Sequence, residues 1–297
     1  MATNSTSRPP TPGRKRTRHE SGIARLRVGR ELVGIGTLTV ETCVAPGVPF
    51  VRCEVELDNR APDHRLRLRF PTGADLDGFD AATTFDTAHR TTAPIDDSRW
   101  VHPAPRTFAH QGWIAANGLV VGAPGLPEAE VTPRGEILVT LVRSVGALAR
   151  IKLRTRPLPA GPEMMAPGAQ TQGRVAATVT LARSPADVHA AEIGLCGVLG
   201  GDAPLLAADT SLLELHARHC VLSACKPAQD GDGVVVRVLN PTDASEPARL
   251  RFGLDVRHVE PVGLDEEPGE HVVSHDGREV ELPVPPHALR SVRVSFG

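Results

Sequence analysis

From about residue 21 the chain alternates apolar and polar positions with a period of two. In FVRCEVELDN, Val51, Cys53, Val55 and Leu57 fall on one side, and Arg52, Glu54, Glu56 and Asp58 on the other. RLRLRF repeats the pattern, with Leu66, Leu68 and Phe70 opposite Arg65, Arg67 and Arg69. Strict alternation predicts antiparallel strands with one buried face. Further strands are predicted at 136–144, 174–183, 233–240, 248–255 and 288–296. Between them sit turn clusters such as PTGAD, APGLP, QDGDG and NPTD, so the 27 prolines and 28 glycines punctuate strands. Only SPADVHAAEIGLCGVL (184–199) has helical spacing, and Gly194 and Gly197 interrupt it. Many short strands joined by Gly/Pro turns predict an all-β protein built of sandwiches.

Residues 1–20 break this pattern. They are polar, basic and Pro-containing, with too little apolar surface to offset the entropy of ordering, which predicts a disordered tail. A large β domain is expected over 21–208, and a small terminal sandwich over 209–297, with the LLAADTSLLEL stretch between the two long β regions. The formal charge of −2 gives no net basic footprint for nucleic acid or an anionic membrane. No run of about 18 apolar residues occurs, so a membrane span is not expected. The N-terminus has no apolar export signal. Five scattered cysteines (Cys43, Cys53, Cys196, Cys220 and Cys225) then read as reduced thiols, and the expected compartment is the cytoplasm.

Several segments resemble a known family. DNRAPDHRLRLRFPT (58–72) resembles the strand-turn-strand of the C-terminal region of glycoside hydrolase family 38, the α-mannosidase and mannosylglycerate hydrolase group. TTFDTAHR (83–90), NGLVVGAPGLPEAEV (117–131), ILVTLVRSVG (137–146) and GPEMMAPGAQTQGR (161–174) follow in the family's order. VLSACKPAQDGDGVVVRVLNPTD (221–243) and PPHALRSVRV (285–294) resemble its terminal small sandwich. The resemblance covers nearly all of residues 21–297. It implies a large antiparallel super-sandwich, galactose mutarotase-like, followed by a small Ig-like β-sandwich. It also implies a non-catalytic part of an enzyme that hydrolyses α-mannosides. In that family the zinc ion and the nucleophilic Asp belong to a catalytic barrel that these residues do not match. No cofactor is therefore expected in this chain, and the implied partners are a separate chain carrying the barrel and, through it, a mannoside.

Retaining glycoside hydrolysis needs two carboxyl groups about 5–5.5 Å apart. Glu128 and Glu130 share a strand face by spacing, and Asp96 and Asp97 are adjacent, but neither pair has a second element that sequence brings to it. His216, His219, Cys220 and Cys225 have zinc-ligand chemistry without zinc-ligand spacing. A mutarotase-like enzyme would use a His acid, drawn from His64, His89, His102 or His110. A stand-alone carbohydrate-binding sandwich would want aromatic platforms, and only Trp100 and Trp113 are large enough. These two readings stay open as alternatives. Arg65, Arg67 and Arg69 must be solvated or paired, for example with Glu54 or Glu56 across a hairpin. Asn59, Asp63, His64, Arg65 and Arg90 are the candidates for a carbohydrate-facing rim, because planar polar groups of this kind fix sugar hydroxyls.

Overall fold

The computed structural model describes residues 14–20, 22–150, 158, 161–193, 206–207 and 209–297. Two compact units form, one from Met1–Ala82 and Ala88–Gly194, the other from Thr83–Thr87 and Leu195–Gly297. Along the chain come β1 (Arg14–Glu20), β2 (Ile23–Leu32), β3 (Gly36–Val44), β4 (Val51–Asn59), β5 (Arg65–Pro71), β6 (Gly78–Thr83) and β7 (Asp86–Thr91). Then follow β8 (Phe108–Ala109), β9 (Trp113–Ala116), β10 (Leu119–Gly122), β11 (Glu128–Thr132) and β12 (Glu136–Arg143). β13 (Ala147–Ala149), β14 (Met164–Met165), a 3-10 turn (Pro167–Gln170), β15 (Gly173–Ala182) and the helix α1 (Pro185–Ile193) complete this stretch.

The predicted alternation is what the strands use. Val55 and Leu57 of β4 are buried, while Arg52, Glu54 and Asp58 are not. A nine-stranded antiparallel sheet has the order β1-β2-β3-β4-β15-β10-β9-β6-β7, and a four-stranded sheet the order β5-β12-β11-β8. Val55 and Leu57 meet Leu141 and Val142 of β12 between the two sheets. Ile114, Val121 and Val179 meet Val131, Ile137 and Val139 in the same layer. This is a sandwich with its core between two inner faces.

Two expectations are corrected here. Arg14–Glu20, expected as part of a disordered tail, form β1 and pair with β2 from Arg14↔Gly29 to Glu20↔Ile23. The physical reason is that β2 presents a row of edge N–H and C=O groups, and pairing them does not require apolar side chains. The rest of that tail lies outside the described residues. The arginines of β5 do not pair with Glu54 or Glu56, because β4 and β5 enter different sheets. Arg67 pairs with Glu130 on β11, and Arg69 with Glu136 on β12.

Helix α1 starts where sequence chemistry starts it. Ser184 precedes Pro185, and its hydroxyl accepts the Asp187 N–H at 3.2 Å and donates to the Asp187 carboxylate at 2.7 Å. Val188 is fully buried over β10, and a Cβ on Gly122 would come within 2.4 Å of it, so the helix seats only on glycine there.

In the second unit, β16 (Leu213–His216), β17 (Val221–Pro227), β18 (Val234–Asn240), β19 (Glu246–Phe252), β20 (Val256–Val262), β21 (Ser274–Asp276), β22 (Glu279–Val284) and β23 (Ala288–Phe296) form two four-stranded sheets. Their orders are β16-β19-β22-β21 and β17-β18-β23-β20. Val236, Val238, Val292 and Val294 face Leu250, Phe252, Leu282 and Val284 across the core. Among the described residues no helix is long and apolar enough to cross a membrane. Cys43, Cys53, Cys220 and Cys225 are free thiols; Cys196 lies outside the described residues.

Candidate functional site

A polar network in the first unit gathers where β4 hands over to β5. Asn59 is the last residue of β4 and stands on the same inward face as Val55 and Leu57, only 1% exposed. Its Nδ2 donates to the Thr171 carbonyl at 2.8 Å and to Ser144 Oγ at 3.3 Å. Ser144 Oγ in turn donates to the Gln170 carbonyl at 2.6 Å. The backbone leaves room for this on one side only through glycine: Gly36, paired with Asn59, has φ 147°, and a Cβ there would lie 1.8 Å from the Asp58 carbonyl.

The turn after Asn59 is closed from a distance. Asp63 has φ 51°. Its N–H donates to Gln170 Oε1 at 2.8 Å, and its Oδ1 accepts Gln170 Nε2 and the Gly146 N–H, each at 3.1 Å. The His64 carbonyl accepts the Ser144 N–H at 2.8 Å, and the Ala169 carbonyl accepts the Val145 N–H at 3.1 Å. Four segments therefore meet: the end of β4, the turn into β5, the exit of β12 and the 3-10 turn. Asn59 Oδ1 and both His64 ring nitrogens are shielded from solvent and take no bond from the described residues. Asp63 is exposed, and among the described residues only one of its carboxylate oxygens is engaged.

The five residues singled out from sequence fare differently. Asn59, Asp63 and His64 come together in this network. Arg65 leaves it along β5: its Nε lies 3.6 Å from Glu128 Oε1, while Arg143 approaches Glu128 Oε2 at 3.7 Å and Thr140 donates to Oε1 at 2.8 Å. Arg90 is not brought in; its guanidinium stacks 5.1 Å from the Phe108 ring centroid. Sequence reasoning missed Ser144, Gly146, Gln170 and Thr171 as members of the site. The only sequence signal for Gln170 was its place in the loop 161–174 that resembles the family pattern, because its partner lies 107 residues earlier.

The other candidate chemistry is occupied or dispersed. Glu128 and Glu130 face arginines, not one another. His89 Nδ1 sits 2.8 Å from Asp80 Oδ1 on the exposed β6–β7 hairpin, whereas His110 is buried and held below the ordinary imidazole range by desolvation. Trp113 packs beside Val120 and Val188, while Trp100 is exposed. Among the described residues no three His, Cys, Asp or Glu side chains converge where a metal ion could sit. His216 faces Glu214, and Glu246 accepts the backbone N–H of His219, so the described residues do not fit a zinc site. Surface hollows of about 170 Å³ in the second unit, beside Ser211, Glu214 and Arg251, and about 300 Å³ in the first, beside Thr39, Glu56 and Asp58, do not have Asn59, Asp63 or His64 in their linings.

Comparison with known proteins fits this architecture. Residues 219–292 match the family model described as the glycosyl hydrolases family 38 C-terminal beta sandwich domain. That match lies wholly within the second unit. The chain is 29% identical over 226 residues to a protein of Halalkalibacterium halodurans named putative mannosylglycerate hydrolase, covering 71% of this chain and 23% of that one. Its fold is similar to that of an alpha-mannosidase from Enterococcus faecalis V583, with TM-score 0.74, 19% identity, and coverage of 95% of this chain and 35% of the other. A second Enterococcus faecalis structure, of a protein in glycosyl hydrolase family 38, gives TM-score 0.73 at 19% identity, over 95% of this chain and 36% of that one. The chain thus spans less than a quarter of the curated relative's length and about a third of each solved chain.

Proposed function

We propose that this chain is the non-catalytic, carbohydrate-facing β portion of a family 38 α-mannosidase, acting on α-mannosides together with a separate chain that supplies the catalytic barrel and its zinc. The observation that carries the reading is the Asp63 carboxylate. One of its oxygens accepts two N–H donors, and the other takes no bond from the described residues in a side chain that is exposed. A carboxylate oriented in this way is a ready acceptor for a sugar hydroxyl. Asn59 is tied to it through Ser144 and Gln170, and His64 and Arg65 follow it into β5. The family matched by the C-terminal sandwich and the names of the similar proteins support the substrate class. The free thiols support a reducing, cytoplasmic setting.

The test is hydrolysis of 4-nitrophenyl α-D-mannoside by the purified chain, alone and after co-expression with a family 38 barrel-bearing chain from the same genome. No turnover alone, and turnover in the complex that Asp63→Ala lowers at least tenfold, is the expected result. Turnover by the chain alone would overturn its non-catalytic role. Full turnover by the Asp63→Ala complex would overturn the sugar-facing role of this turn.

A further inference from the structure

The Asp63 turn is held in a backbone conformation that its own residue disfavours. A φ of 51° brings Cβ close to the following carbonyl, a clash that glycine escapes and aspartate does not. Two contacts from Gln170 hold it there. The Asp63 N–H donates to Oε1 at 2.8 Å, and Nε2 donates back to Asp63 Oδ1 at 3.1 Å. The chemistry selects the residue. Only a primary amide places an acceptor and a donor side by side at the end of one side chain. Glutamate would turn a second carboxylate on Asp63, and lysine or arginine would offer its N–H nothing. Gly146 adds the third contact and is small for a reason: a Cβ there would stand 2.8 Å from Gln170 Nε2 and 3.2 Å from Asp63 Oδ1. Gln170 is itself anchored, because its carbonyl accepts Ser144 Oγ, which is tied to Asn59.

We propose that Gln170 is a positioning residue, whose amide occupies one oxygen of the Asp63 carboxylate so that the other faces a sugar hydroxyl. Gln170 touches no ligand in this arrangement. The inference rests on the reading that Asp63 meets an α-mannoside. It separates two jobs of one amide: Oε1 holds the Asp63 backbone, and Nε2 aims the carboxylate.

Two variants divide those jobs. Gln170→Ala removes both, while Gln170→Glu keeps an acceptor for the Asp63 N–H and loses the donor. The readouts are hydrogen exchange of the Asp63 amide by NMR and the response to titration with methyl α-D-mannoside of the chain in complex with the barrel-bearing chain. Gln170→Ala is expected to speed Asp63 exchange at least tenfold and abolish the mannoside response. Gln170→Glu is expected to keep the amide protected while weakening mannoside binding at least fivefold, a split that a purely structural role would not produce. Asp63→Asn retains the oxygen that Gln170 and Gly146 grip, and its amide stays protected as in the wild type. If Gln170→Glu binds mannoside as well as the wild type does, Gln170 only clamps backbone and the inference fails while the proposed function stands. If exchange at Asp63 is unchanged in Gln170→Ala, the contact itself is refuted. A wild-type complex that shows no mannoside response overturns the sugar-facing reading, and the positioning role with it.

Discussion

Replacing Asn59 by aspartate should destabilise the first unit by an amount that grows with pH. Asn59 is 1% exposed, and both of its contacts are donated by Nδ2, to the Thr171 carbonyl and to Ser144 Oγ. Asn59→Ala deletes two hydrogen bonds worth about 1 kcal/mol each in net stability, so it should cost about 2 kcal/mol at every pH. In a unit of this size that lowers the melting temperature by roughly 4–8 °C. Asn59→Asp keeps the shape but points an acceptor at two acceptors from a site shut off from water. The introduced carboxyl therefore holds its proton in the folded state well above its ordinary value near 3.9. The sign follows from proton counts. Between the unfolded and folded pKa values the native state binds the proton and the unfolded state does not, so stability falls as pH rises. The slope is about 1.4 kcal/mol per pH unit, or up to about 2.7 kcal/mol between pH 5 and pH 7. Thermal unfolding of the wild type, Asn59→Ala and Asn59→Asp at pH 5, 6 and 7 reads this directly. Asn59→Ala should run parallel to the wild type, and Asn59→Asp should diverge downward with rising pH. A constant gap between Asn59→Asp and the wild type would refute the assignment of Asn59 as a buried double donor.

Two further predictions concern the second unit. Burial, followed by the charge of Glu246, pushes the Cys220 thiol up to about 11, so at pH 8 only about a thousandth is thiolate and Cys220 should resist iodoacetamide in the folded protein. The same shift makes the native state the tighter proton binder between the ordinary value of 9.0 and 11, so stability should fall across that window by less in Cys220→Ala; equal losses would contradict it. Glu266 is held below its ordinary 4.5, first by the Lys226 ammonium and then by the Gln229 N–H, and its contribution is present above that value and lost as pH falls. The melting-temperature gap between the wild type and Glu266→Gln should therefore narrow as pH falls below about 4.5, and a gap that stays constant would show the ion pair to be idle.

Much of the fold was legible because strand periodicity is a local property. The alternation in 51–58 and 65–70 named the buried faces of β4 and β5. The partners of those strands were not legible. Two alternating strands joined by a short turn read as a hairpin, yet β4 pairs with β3 and β15, and β5 pairs with β12. That crossing between layers is why Arg67 finds Glu130 and not Glu56. The tail was misjudged for a related reason: apolar content measures what a segment can bury, whereas β1 is held by edge hydrogen bonds.

The candidate site divides along the same line. The sequence by itself determined the all-β class, the inward and outward faces, the turn at Asp63 and the residue types able to meet a sugar. Only tertiary structure decided which of those residues act together. Asn59, Asp63 and His64 became one network because Ser144, Gly146 and Gln170 arrive from segments more than 80 positions away. Arg90 was left on Phe108. Hydrogen bonds are short-ranged, so which donor meets which acceptor is settled by how the strands are laid side by side, and no local pattern encodes that order.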